Sequence, residues 1–202
     1  MAVTIQEPEY PASQSYPTSS PHDKRVERAH SRFLSHLSDT ENWNFQGDRG
    51  DVKLWKKPDA DEPGELQKGK GLDQNSIVTD SIALPSGGLP FVKGECLVKD
   101  CTPEAFGLGV VQSPGMRKLW DPRTEMGFML ERYSATTVMF YALTKGKKYI
   151  ASPRDIVGVQ RNYTNEDGTL RMVQTSVTDH DAAPEQSGTT RADLVLSGWE
   201  FK

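Results

Sequence analysis

The chain is short of what most catalytic sites are made from. It has only two cysteines, Cys96 and Cys101, and four histidines, too few and too scattered for a zinc site. In a reducing compartment both cysteines are expected to be ordinary free thiols, burial being the general habit of such groups. No Gly-x-Ser-x-Gly elbow or workable Cys/His pair occurs. Lys145-Gly146-Lys147-Lys148 lacks the remaining glycine and the Ser/Thr of a phosphate loop. The net charge is -4, so no overall basic field draws in nucleic acid. No apolar run approaches the roughly 20 residues that span a bilayer. The start, MAVTIQEPEYPASQSYPTSSP, has neither the cationic head nor the apolar block of a signal peptide. The expected compartment is the cytoplasm, with no cofactor, no metal and no nucleic-acid partner; nothing sets an oligomeric state.

Hydrophobic residues make up 35% of the 202-residue chain, and they are unevenly placed. Residues 1–20 are rich in Pro, Ser and Tyr without periodicity, the composition of a disordered tail. Residues 21–202 are expected to form one domain. Ser20-Pro21 with Asp23 reads as a helix start, and Val26, Ala29, Phe33 and Leu37 continue at near-helical spacing to about Asp39. Trp43 and Phe45 are expected to anchor the helix exit, and a strand follows from Val52 to Trp55. Gly, Lys, Asp, Glu and Pro dominate about 57–75, predicting a long exposed loop. Strands at 76–84 and 91–98 flank a Pro-Ser-Gly-Gly turn. Thr102-Pro103-Glu104 starts a second helix reaching about Val111, which Ser113-Pro114-Gly115 breaks.

From 125 onward the pattern is a run of antiparallel strands: 125–133, 136–143, 155–163, 169–177 and 190–196, with another beginning at Gly198. Asp167-Gly168 closes a hairpin between two of them. With one helix, short helical pieces and consecutive strands, the fold class is α+β.

Short motifs carry less than their letters suggest. Arg49-Gly50-Asp51 reads as a turn, Asn162-Tyr163-Thr164 signals glycosylation only in a secreted chain, and Asp179-His180-Asp181 is too contiguous to converge on one ion. Glu95, Glu125 and Glu131 fit a solvated strand face.

Alternation within the strands is more informative. Thr137, Met139, Tyr141 and Leu143 share one face of their strand, and Ile156, Gly158 and Gln160 share one face of the next. Soft Met, polar-tipped Tyr and space-leaving Gly suit an apolar guest with a polar end. The same pattern also suits an ordinary filled core.

The order of motifs resembles the START domain, the StAR-related lipid-transfer module. The resemblance rests on Val52-Lys53-Leu54-Trp55-Lys56-Lys57-Pro58, Phe91-Val92-Lys93-Gly94-Glu95 and Thr102-Pro103-Glu104. It continues in Arg117-Lys118-Leu119-Trp120-Asp121-Pro122, Pro153-Arg154-Asp155-Ile156-Val157 and Gly188-Thr189-Thr190-Arg191-Ala192, and covers about 23–202. It implies a helix-grip fold, a curved antiparallel sheet around a lipid-sized cavity, and non-catalytic binding or transfer of one lipid. The cavity candidates are then Met139, Tyr141, Leu143, Ile156, Gly158 and Gln160.

Two departures from the family qualify that reading. Where members often carry a cavity arginine, six positions after the Arg of the Arg-Asp motif, this chain has Gln160, with Arg161 on the opposite face. An amide can bond a hydroxyl or carbonyl but offers a phosphate no charge, which tilts the expected guest toward a sterol or other weakly charged lipid. The family's final strand and C-terminal lid helix would fall beyond Lys202, so the domain is expected to be incomplete there or closed by another element.

A carrier also needs transient membrane contact. Lys147, Lys148, Tyr149 and Ile150 combine cations with apolar side chains suited to it. Trp120 is expected to fill a helix–sheet seam. Asp121, forced out of helical geometry by the following proline, has Arg117 and Arg154 as expected partners. Two other readings stand beside carriage. One is a helix-grip enzyme acting on a bound ligand, with Tyr141, Glu131 or Asp155 as acid/base groups; the other is a ligand-sensing interaction module.

Overall fold

The computed structural model describes residues 19–57, 90–107, 114–146, 152–177 and 180–202. Residues 1–18 of the expected tail at 1–20, residues 58–75 of the expected loop at about 57–75, the strand at 76–84 and residues 147–150 lie outside them; Lys57 belongs to a strand instead of the loop. The chain divides into two compact units, one of residues 37–100 and one of residues 1–36 and 101–202.

The smaller unit holds three antiparallel strands, β1 (Asn44–Arg49), β2 (Val52–Lys57) and β3 (Phe91–Glu95), in that order. Trp55 pairs with both Phe45 and Lys93 across the sheet, and Lys93 Nζ lies 4.7 Å from the Trp55 ring and 5.3 Å from that of Trp43. Strand β1 corrects the sequence reading, which had Phe45 anchoring a helix exit. Its NFQGDR sequence lacks apolar alternation, and a bulge between Phe45 and Gly47 breaks its register, so periodicity could not show it. Arg49-Gly50-Asp51 is the β1–β2 turn, as expected, with Gly50 at φ 61°. Strand β3 stops at Glu95, short of the expected 98, and Cys96 is exposed beside it.

The larger unit is built on a sheet of order β4-β5-β6-β7-β9: β4 (Thr124–Arg132), β5 (Thr137–Thr144), β6 (Arg154–Thr164), β7 (Leu170–Ser176) and β9 (Ser197–Phe201). The β6–β7 hairpin closes as the Asp-Gly signal predicts. Asn165 N–H donates to Thr169 O at 2.9 Å, and Gly168 takes φ 82°. The expected strand 190–196 shrinks to β8 (Thr190–Arg191), which runs parallel to β6. The pairing of β7 with β6 ends as Val177 N–H bonds Val157 O, leaving the edge of Arg154 and Asp155 open, and β8 takes it. The following residues instead hang on β7, through Leu194 N–H to Ser176 Oγ at 2.6 Å and Thr175 Oγ1 to Val195 O at 3.0 Å.

Helix α1 (Asp23–Ser38) starts where Asp23 Oδ2 accepts from Ser20 N–H and Ser20 Oγ accepts from His22 N–H, both at 3.1 Å. Its buried stripe is Val26, Ala29 and Phe33. Val26 joins Met139, Tyr141, Val157 and Val159 in one core cluster. Phe33 lies over Gly198, so tightly that a Cβ there would stand 2.3 Å from the ring. Arg161 reaches from β6 to Glu27 at 2.6 Å and to Asp23, and Tyr163 stacks on His30 at 3.7 Å. Each buried Val or Phe is worth about 1.5–3 kcal/mol, whereas a half-exposed ion pair contributes about 1 kcal/mol or less. The apolar stripe therefore holds α1 down, and Arg161 fixes its rotation.

Two short helices complete the unit. Helix α2 (Pro103–Phe106) is capped by Thr102 Oγ1, which accepts from Ala105 N–H at 3.2 Å, and Cys101 before it is exposed. Helix α3 (Arg117–Trp120) follows a 3-10 turn, Pro114–Met116. No helix among the described residues is long and apolar enough to cross a membrane.

The Gly198 contact gives a direct test. Gly198→Ala is expected to lower unfolding free energy by about 1–3 kcal/mol through overpacking. In a denaturant double-mutant cycle, Phe33→Leu should recover part of that loss.

Candidate functional site

Residues paired across an antiparallel ladder point to the same face of the sheet, so the β5–β6 register sorts the expected cavity residues. Met139 pairs with Val159, Tyr141 with Val157 and Leu143 with Asp155. Phe140 pairs with Gly158, Ala142 with Ile156 and Val138 with Gln160. Met139, Tyr141 and Leu143 therefore lie on the face covered by α1, packed into its core. Ile156, Gly158 and Gln160 lie on the opposite face. The six do not line one site, and the correction has a simple cause: alternation was read within each strand, while the register between strands was open.

The α1 face is filled and structurally committed. Asp155, 1% exposed, receives two bonds of 3.0 Å from Arg191, whose guanidinium also donates to Ala183 O at 2.9 Å. Burial, then the charge of Asp155, pushes the Tyr141 phenol up to about 12. Glu131 accepts from Tyr133 Oη at 2.8 Å and lies 3.5 Å from His180. Tyr141 and Asp155 thus interact with each other, and Glu131 sits in a separate contact.

The opposite face has a different composition. Gln160, 1% exposed, pairs across the ladder with Gln174. Gln174 Nε2 donates to Gln160 Oε1 at 2.8 Å, and Gln160 Nε2 donates to Asn162 Oδ1 at 3.3 Å. Farther along β7 and β9 lie apolar groups. Met172 pairs with Trp199, and Met172, Leu170 and Phe201 form a cluster against which Phe106 of α2 and Trp199 pack. Trp199 stacks on Phe201 at 6.0 Å and meets Trp120 of α3 edge-on at 6.3 Å. Gly158 does not leave space, as had been expected, because the Phe140 ring occupies it. A Cβ there would come within 2.8 Å of that ring and 2.7 Å of Thr175 O.

Gln174 and Trp199 were missed from sequence. Their signal was available in the alternation of Met172, Gln174 and Ser176 along β7, but only the register to Gln160 gives it meaning.

At the corner before β4, Asp121 accepts from Arg123 N–H at 3.0 Å and Arg123 Nε at 3.1 Å, and pairs with Arg117 Nε at 3.4 Å. Arg117 was expected; Arg154 was not a correct alternative, for it turns to Ser152 O at 3.2 Å. Trp120 meets the sheet through Trp199 yet stays 39% exposed, so it covers the seam only in part. Among the described residues no cluster of three His, Cys, Asp or Glu could hold a metal.

No family model matches the sequence, and no curated protein does. Solved structures do match. Human StAR-related lipid transfer protein 5 is 21% identical with a TM-score of 0.67, over 88% of this chain and 72% of that one. Human STARD10 is 16% identical with a TM-score of 0.63, over 94% of this chain and 64% of that one. A STAR-related lipid transfer protein fragment from Xanthomonas axonopodis is 16% identical with a TM-score of 0.56, over 79% of this chain and 73% of that one. The chain has a START-like fold, of the α+β helix-grip kind.

Two measurements test the assignments of the carboxylates. Asp155→Asn should cost about 3–5 kcal/mol of unfolding free energy, the toll of breaking an ion pair whose carboxylate is buried. The Arg123 side chain, with its backbone N–H and Arg117, holds the Asp121 carboxyl below the usual carboxylate range. Its folded pKa being depressed, Asp121 contributes stability above the ordinary value of about 4 and loses it as pH falls through the folded value. The stability difference between wild type and Asp121→Asn should shrink correspondingly in acid.

Proposed function

We propose that this chain is a non-catalytic carrier that binds one lipid against the sheet face opposite α1. The observation that carries the reading is the buried Gln160–Gln174 amide pair, two residues along β7 from Met172 and its partner Trp199, on a START-like sheet. The similarity to solved proteins named for StAR-related lipid transfer supports it. An apolar face with a few placed polar groups suits a guest that is mostly hydrocarbon with one polar end. Amides bond a hydroxyl or carbonyl and supply no charge, so a sterol or other weakly charged lipid fits better than a phosphate-headed one. Gln160, Gly158 and Ile156 remain ligand-side residues in this proposal, whereas Met139, Tyr141 and Leu143 support the sheet from beneath. Catalysis is disfavoured because Asp155 and Tyr141 lie on the α1 face, away from the amide pair.

The carrier is placed in the cytoplasm, touching membranes transiently through Lys147, Lys148, Tyr149 and Ile150. Each lysine near an anionic surface is worth about 1 kcal/mol.

Mass spectrometry of organic extracts from the purified protein should find an intact, weakly charged lipid. Gln160→Arg should shift the retained lipid toward phosphate-headed species. A chemically altered guest, or none, refutes carriage. Lys147→Glu with Lys148→Glu should weaken binding to anionic liposomes and leave the melting temperature unchanged; equal binding removes the loop's role.

A further inference from the structure

The stretch Met116-Arg117-Lys118-Leu119-Trp120 presents a second kind of surface. Leu119 is 75% exposed, Trp120 39% and Met116 37%, three large apolar side chains on one short turn. They are held outward rather than left loose. A Cβ on Gly127 would stand 2.5 Å from Pro114 O, so the 3-10 turn lies directly on β4. Asp121 then ties Arg117 before the apolar pair to Arg123 after it. The Arg117 guanidinium sits 5.5 Å from the Trp120 ring centre. Lys118 is exposed between them, and the Arg123 side chain is 80% exposed. Lys145 joins the same corner, its N–H bonded to Arg123 O at 2.7 Å.

We propose that this corner docks the chain onto an anionic lipid surface. Leu119, Met116 and the outer edge of Trp120 enter the headgroup boundary, while Arg117, Lys118, Arg123 and Lys145 meet the phosphates and carboxylates. Charge complementarity and size select this occupant. Tryptophan flanked by arginine and lysine has an apolar body and cationic neighbours that suit the membrane interface. Three side chains are too few for the core of a stable protein interface, which buries about 1,200–2,000 Å². They do suffice for shallow, reversible membrane attachment when cations add a second attraction. The proposal does not depend on whether the sheet carries a lipid.

The test is partition of the full chain onto phosphatidylcholine vesicles with and without phosphatidylserine, followed by co-sedimentation. All variants keep Lys147 and Lys148, which separates this corner from the 147–150 group. Binding is expected to require phosphatidylserine and to fall with added salt. Leu119→Glu should lower partition about tenfold, and Lys118→Ala about fivefold on the anionic vesicles alone. Quenching of tryptophan emission by brominated lipid should drop in Trp120→Phe. Thermal unfolding of Lys118→Ala, a change at an exposed position, should match wild type, so its partition reads docking even if another variant is destabilised. Wild-type partition by both Leu119→Glu and Lys118→Ala overturns the proposal. So does a Leu119→Glu effect confined to self-association in sedimentation, which would make the corner a contact between copies.

Discussion

Phe140 pairs with Gly158 and Tyr141 with Val157, and from this register follows the division of labour between the two sides of the sheet. A slip of one residue would send every side chain of β6 to the other face. Arg161 would leave Asp23 and Glu27, and Gln160 would be pressed against α1 with no partner. The register is over-determined. Gly158 accepts the Phe140 ring on one side, Arg161 reaches α1 on the other, and Asp155 meets Arg191 at the strand's start. Each contact fits one alignment only.

This explains how much could be read from the residues alone. Strands β4 to β7 were legible because alternation, β-branched residues and the Asp167-Gly168 turn are local signals. The start of α1 was legible for the same reason, in Ser20, Pro21 and Asp23. What alternation could not supply was the phase between neighbouring strands. The β5–β6 connection, residues 145–153, is too long for turn geometry to set it. Hence Met139 and Gln160 were grouped together although they face apart. Strand β1 escaped for a different reason, since an exposed, bulged edge strand has no apolar side to display.

The two faces also solve the problem of buried polarity differently. On the α1 face charge is buried as a closed pair, Asp155 with Arg191, where both partners are fixed and the ends of β6 and β8 are joined. Such a pair adds little net stability, but it penalises any arrangement that separates it. On the other face the buried groups are amides, Gln160 and Gln174, bonded to one another. Gln160 uses both atoms of its amide, accepting from Gln174 at the oxygen and donating to Asn162 Oδ1 from the nitrogen. Burying an amide without a partner costs far less than burying a charge.

The corner at Met116–Arg123 shows the same economy in a smaller space. Pro122 forces Asp121 out of helical geometry and ends α3 after a single turn. The freed carboxylate then gathers Arg123 and Arg117 around itself. Because both cations are tethered at their base by one buried anion, the turn keeps its shape while Leu119 and Lys118 remain outside it. With α3 ending at Trp120, Leu119 and Lys118 stay exposed on its single turn. The residue that looks like the chemical centre of the stretch is therefore its foundation, and the chemistry of contact falls to the neighbours it holds apart.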